Sequence, residues 1–213
     1  MVPFLSADLT TNILNVSLSI VFLFVSQRAF YLYRQLRNAR LCILGLAMGM
    51  IALTAMMDFA SSLVTTLHLH IGWFLYIGQA VSYLFVLLNI VVSSERNLRL
   101  LLRWHCLFSV LLLVLLVCSP LLPDFPNVGV KMLLSGSRCL ICFVICFYYI
   151  GLFVSKGTRF SMLMVAAFML LSFGYVMVLP KYVLPGQELL DQVGDMARIL
   201  GVITIGGGFM LGR

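Results

Sequence analysis

The chain has 213 residues, of which 62% are hydrophobic and 10% charged, and its mean hydropathy is +1.11. A soluble domain carries roughly 25% charged residues, so this composition excludes water as the main solvent. The formal charge of +7 comes from 14 Lys and Arg against 7 Asp and Glu. Most of these basic residues fall in short segments between apolar runs, where they set membrane topology. No nucleic acid partner is expected.

A spanning helix needs about 20 mostly apolar residues. Seven stretches qualify in chain order. The first runs from about Leu9 to Tyr33 and ends in Arg34, Arg37 and Arg40. No cleavable signal peptide is expected ahead of it, because Met1 to Thr10 lacks a basic stretch and carries Asp8. The second runs from about Leu41 to Leu67. The third, Ile71 to Ser94, has no charge and is followed by Glu95, Arg96, Arg99 and Arg103. The fourth runs from Trp104 to about Leu122 and stops at Pro120, Pro123 and Pro126. The fifth covers about Val128 to Val154 and ends in Lys156 and Arg159. The sixth is Phe160 to Leu179, closed by Pro180 and Pro185, and the seventh is roughly Gln187 to Leu211. The spacing predicts an all-α integral membrane protein, a single bundle of seven transmembrane helices over residues 1–213.

Orientation follows from the loops. Alternate ones hold Arg34, Arg37 and Arg40, then Arg96, Arg99 and Arg103, then Lys156 and Arg159, and the sequence runs to Arg213. The opposite set holds His68 and His70, Asp124, and Lys181 with Glu188. The positive-inside rule makes the first set cytoplasmic, with the N-terminus outside and the C-terminus in the cytoplasm. Trp73 and Tyr182 then sit at outer helix ends, and Tyr31, Tyr33 and Trp104 at inner ends, as interfacial aromatics do. Arg28, one turn inside the first helix, can extend to the interface.

Charges within spans are the informative minority, because burying them is expensive. Four are predicted there: Asp58, Arg138, Asp195 and Arg198. At 1.5 Å rise per residue, Asp58 and Arg138 lie roughly 15 Å from the outer ends of their helices, with Asp195 slightly shallower and Arg198 one turn deeper. In the seventh helix, Glu188, Asp191, Asp195 and Arg198 share one face, and Asp195 and Arg198 can pair. That stripe suits a vestibule or ligand pocket opening outward. Thr54, Asp58, Ser61 or Ser62, and Thr65 form a polar stripe on helix two. Gln79, Ser82, Asn89 and Ser93 form one on helix three. Such stripes face a bundle interior and hydrogen-bond between helices. The expected site comprises Asp58, Gln79, Arg138, Asp191, Asp195 and Arg198. The alternative reading is a structural network that locks helices together. An Arg beside each acid keeps the acid ionised, which argues against proton conduction.

Other groups read more plainly. Cys139, Cys142 and Cys146 share one face of helix five and fit a packing role, because redox and metal chemistry need accessible thiolates. With Cys42, Cys106 and Cys118 also in or beside apolar runs, no disulfide framework is expected. His68 and His70 lack the further ligands of a metal shell. No histidine is expected deep in a span, which argues against haem, and no lysine lies in helix seven to hold a retinal. Gly45-x-x-x-Gly49 in helix two permits close helix approach, and Gly201, Gly206, Gly207 and Gly208 either do the same in helix seven or weaken it. No phosphate loop, zinc motif or nucleophile elbow is present. The expectation is a protein that is not an enzyme and needs no metal or cofactor.

The first helix ends in the basic patch Arg34 to Arg40, and a small-residue-rich second helix carries Asp58. The third runs into Ser93-Ser94-Glu95-Arg96, and a proline-broken outer loop follows the fourth. In this order of features the chain resembles the seven-helix N-terminal membrane sensor region of bacterial histidine kinases and related signalling proteins. In that family a cytoplasmic output domain follows helix seven; this sequence departs from the pattern by running only to Arg213, and a member of this form is expected to be a stand-alone relative. The function expected is a receptor-like module of the cell membrane. It binds a small ligand from the outer side, between helices two, five and seven, and signals to a partner. The alternatives are a small accessory subunit of a larger membrane complex and, third, a transporter. The partners expected are the lipid bilayer and a protein in the membrane or cytoplasm, with a homodimer as a further option.

Overall fold

Backbone polarity decides the architecture. In an apolar solvent, every N–H and C=O must be satisfied internally, and a chain this apolar meets that demand through helices. The computed structural model describes residues 7–63, 70–123, 128–183 and 188–211. The expectations placed on Thr65, Leu67, His68, Asp124, Pro126, Pro185, Gln187 and Arg213 lie outside them. Among the described residues there is no strand and there are seven α-helices: α1 (Ala7–Leu36), α2 (Ala39–Leu63), α3 (Gly72–Val91), α4 (Glu95–Val117), α5 (Val128–Lys156), α6 (Arg159–Val178) and α7 (Glu188–Leu211). All seven are long and apolar enough to cross a membrane. A 3-10 turn at Ser119–Leu121 follows α4, and another at Leu179–Tyr182 follows α6; Pro120 and Pro180 are the second residues of these turns.

Local chemistry sets the tight connections. α1 stops where Arg37 adopts φ 52°, with its N–H donating to the Tyr33 carbonyl at 2.8 Å. This is the left-handed helix stop that glycine usually supplies. The Asn38 side chain then accepts the Arg40 N–H at 3.0 Å and starts α2. α5 stops in the same way at Gly157 (φ 60°), whose N–H meets the Phe153 carbonyl at 2.7 Å. Thr158 caps α6 by accepting the Ser161 N–H at 3.2 Å.

One boundary differs clearly from its expectation. α4 begins at Glu95 rather than at Trp104. Counting apolar residues stops at Arg96, Arg99 and Arg103, but helical hydrogen bonding does not. The Leu98 N–H already donates to the Ser94 carbonyl at 3.0 Å, and Leu98 is buried. The long arginine stems carry their charges away from the apolar surface. As a result His105 lies mid-helix, only 1% exposed and stacked on Phe85 with ring centroids 4.0 Å apart. The expectation that no histidine lies deep in a span is corrected accordingly. α3, in turn, ends at Val91 because Val92 is extended.

The chain forms two compact units. One comprises Phe22–Pro126, hence the second half of α1 with α2, α3 and α4. Its core includes Met50, Phe74 and Leu112, packed with Leu53 and Leu116. The expected close approach at Gly45 and Gly49 is made to α1. An added Cβ at Gly45 would meet the Phe30 ring at 3.1 Å, and one at Gly49 would meet Ser26 Oγ at 3.1 Å. The Ser26 hydroxyl donates to the Gly45 carbonyl at 2.7 Å. In the polar stripes, Thr54, Ser61 and Ser82 donate instead to carbonyls of their own helices, at 2.7, 2.8 and 2.7 Å.

The other unit comprises Met1–Val21 and Asn127–Arg213, hence the first half of α1 with α5, α6 and α7. α6 and α7 form its most extensive helix pair. They cross backbone to backbone: a Cβ at Gly174 would meet the Gly194 carbonyl at 2.6 Å, and one at Gly194 would meet the Gly174 carbonyl at 2.8 Å. Gly201 repeats the approach further along α7, where an added Cβ would meet the Ala167 carbonyl at 2.9 Å. Gly207 faces open space. On α5, Cys139 and Cys146 lie 3.6 Å from the carbonyls of Ser172 and Val165 on α6, which fits the packing role expected of these thiols.

Gly174→Ala should therefore lower stability by about 1–3 kcal/mol through overpacking. Gly207→Ala should be neutral or stabilising by up to about 1 kcal/mol, from helix propensity alone. Thermal unfolding of the two purified variants in detergent checks the contrast.

Candidate functional site

The α6–α7 crossing places a group of polar side chains at the end of this unit where α5 and α7 begin and α6 finishes. Asp195 follows Gly194 on α7, and Tyr175 follows Gly174 on α6. Asp195 is 2% exposed and pairs through Oδ1 with Nη2 of Arg198, one turn along the same helix. Its second oxygen, Oδ2, accepts the hydroxyl of Thr11 on α1 at 2.9 Å. The Arg198 guanidinium lies over the Tyr175 ring, 5.3 Å from the centroid.

Arg138 approaches the same ring from α5, at 5.4 Å. It is 6% exposed. Its Nη2 donates to Ser135 Oγ at 3.0 Å and its Nε to the Leu134 carbonyl at 3.3 Å. Ser135 Oγ is in turn 3.2 Å from the Tyr182 hydroxyl, in the 3-10 turn after α6. Two cations thus share one aromatic face-bearing group. A cation over a desolvated ring gains about 2 kcal/mol, which helps to offset the cost of burying each guanidinium. At the rim, Lys181 Nζ pairs with Asp191 Oδ2 at 2.5 Å, with the lysine side chain 57% exposed and the aspartate 12%.

Of the expected site residues, the structure brings Arg138, Asp195 and Arg198 together and sets Asp191 one turn away with its own partner. The expected Asp195–Arg198 pairing along α7 is present. Asp58 on α2 and Gln79 on α3 are half-buried and belong to the Phe22–Pro126 unit. Thr11, Ser135 and Tyr175 were not expected. Ser135 stands three residues before Arg138, a helical spacing that a search along α5 finds. Tyr175 and Thr11 carry no such signal. One is an aromatic in an apolar helix, and the other is 184 positions from its partner.

Among the described residues, Arg198 Nε is buried with no hydrogen-bond partner. A buried N–H donor left in this state invites an acceptor, because the unmet group costs about 1–3 kcal/mol. Chemically, the arrangement offers two guanidiniums, a phenol ring and a carboxylate held in place. Such a set can complement an anionic group.

Compared with known proteins, the chain matches no family model, no curated protein and no solved structure.

Asp195→Asn removes the carboxylate from Arg198 and should cost about 3–5 kcal/mol, the penalty for leaving one buried ion alone. Adding Arg198→Met should recover part of that loss, because the orphaned charge goes with it. A double-mutant cycle by thermal unfolding measures this; purely additive losses would contradict the pairing.

Proposed function

We propose that this chain is a multi-pass, receptor-like sensory module of the cell membrane, with its N-terminus outside and its C-terminus in the cytoplasm. It binds a small polar ligand from the outer side and signals to a protein partner. The seven apolar helices support the membrane reading. The basic residues Arg34, Arg37 and Arg40, Arg96, Arg99 and Arg103, and Lys156 and Arg159 support the orientation. In that orientation the polar cluster of α5, α6 and α7 lies in the outer half of the bilayer.

The observation that carries the sensory reading is the pair of guanidiniums, Arg138 and Arg198, gathered on Tyr175 with an unmet buried N–H on Arg198. A ligand carboxylate is the natural complement to such a pair, since guanidinium recognises carboxylates through paired hydrogen bonds. The ligand class is thus a small organic acid or amino acid. The resemblance to the membrane sensor region of bacterial histidine kinases is in keeping with this role.

A second reading rests on a different observation. α4 and α5 leave most of their apolar surface exposed, for instance Leu107, Val110 and Val114 on α4 and Leu140, Phe143 and Phe147 on α5. Those faces suit lipid or the helices of a larger complex, and in an accessory subunit the charged cluster would be structural.

The two readings separate in one experiment. The purified 213-residue chain is screened by thermal shift against small carboxylates and amino acids. The sensory reading expects a saturable rise in unfolding temperature for at least one compound, abolished in a folded Arg138→Ala variant. A compound that stabilises that variant as fully as wild type counts against the site. Purification in gentle detergent as part of a defined larger complex, with no response to any compound, favours the accessory subunit.

A further inference from the structure

The α1–α2 and α3–α4 connections of the Phe22–Pro126 unit border an open cavity of about 460 Å³, lined by Arg37, Arg40, Ser93, Glu95 and Arg99 among others. None of its lining residues belongs to the cluster around Tyr175. Three of its lining groups are guanidiniums and one is a carboxylate. Among the described residues, no ion pair engages Arg37, Arg40 or Arg99, with Glu95 or with any other acid. The cavity therefore keeps an excess of two positive charges (three Arg less one Glu).

The site is built rather than incidental. Arg40 Nη2 donates to the Val92 carbonyl at 2.9 Å, which ties the start of α2 to the end of α3 and fixes that guanidinium in place. Arg37 is carried by a backbone in the left-handed region, φ 52°, a conformation costly for a side-chain-bearing residue and held here by the helix stop. Ser94 precedes α4 in an extended conformation with no side-chain hydrogen bond to the helix, so the first N–H groups of α4 beside Glu95 are not capped by it. Arg37, Asn38, Ser93 and Arg99 are exposed, so the cavity is open to an incoming group.

We infer that this cavity binds a phosphate-bearing anion through Arg37, Arg40 and Arg99. Guanidiniums match phosphate oxygens in geometry as well as charge. Under the orientation proposed above, the cavity lies on the cytoplasmic side, where basic pockets between helices take phospholipid headgroups. The same chemistry accepts a soluble phosphate compound, and the phosphate group is what the site recognises in either case. Glu95 opposes the ligand and tunes its affinity downward.

The test uses the full chain in neutral detergent and reads the midpoint concentration of thermal stabilisation. The probes are dioctanoyl phosphatidylglycerol, dioctanoyl phosphatidylcholine as the zwitterionic control, and inorganic pyrophosphate. Saturable stabilisation by phosphatidylglycerol but not pyrophosphate identifies a lipid headgroup. Saturation by pyrophosphate as well identifies the phosphate group itself as sufficient. In either case Arg99→Gln should raise the midpoint about fivefold, a loss of about 1 kcal/mol per arginine. Glu95→Gln should lower the midpoint. Arg159→Gln, on the basic connection of the other unit, should leave it unchanged. Three results overturn the site: no saturable effect from either anion, equal stabilisation by phosphatidylcholine, or a loss in Arg159→Gln as large as in Arg99→Gln. If Arg99→Gln does not fold, Glu95→Gln decides alone, and an unchanged midpoint overturns the inference.

Discussion

The approach of α6 to α7 at Gly174 and Gly194 is the constraint on which the polar chemistry of its unit depends. With no side chain at either position, the two backbones touch. Tyr175, the next residue on α6, is thereby brought beside Arg198, which Asp195 already pairs along α7. The stem of Arg198 occupies the space that a Cβ on Gly174 would need, so the crossing also positions this arginine against the ring. α5 and α1 then complete the group through Arg138 and Thr11. A helix pair with larger residues at the crossing would hold the Tyr175 ring away from Arg198, and the buried guanidinium would lose that contact.

The Phe22–Pro126 unit solves a different problem. Its interior is apolar around Met50, Phe74 and Leu112, and its Ser and Thr hydroxyls mostly return to their own helix carbonyls. The expectation of hydroxyl stripes joining helices is therefore met less by Thr54, Ser61 and Ser82 than by Ser26, whose hydroxyl reaches the Gly45 carbonyl. A hydroxyl bonded to the preceding turn needs no partner elsewhere and lets a polar residue sit in an apolar interface. The basic character of this unit is concentrated at its helix connections instead, around Arg37, Arg40 and Arg99.

What was legible in the sequence follows the physics of each signal. Helix existence was legible throughout, because apolar runs of spanning length have few other solutions. The Asp195–Arg198 pair was legible because a three-residue step on a helix determines proximity. The start of α4 was not, since hydropathy falls at Arg96, Arg99 and Arg103 while the helix continues through them. That misjudged boundary also misplaced His105. Tyr175 was hidden because aromatic residues in apolar helices usually serve packing. The Gly174–Gly194 crossing combines single glycines on two helices, and only the seven-residue step from Gly194 to Gly201 hints at a common face.

We propose seven spans with the charged cluster in the outer half of the bilayer. Cysteine labelling with a membrane-impermeant maleimide on intact cells tests it most directly, using Val183→Cys beside the cluster and Lys156→Cys at the opposite end of the same unit. Val183→Cys should label in intact cells above the wild-type level, and Lys156→Cys only after the membrane is opened. Labelling of both positions in intact cells, or of Lys156→Cys alone, would contradict the topology and remove the outward-facing site with it.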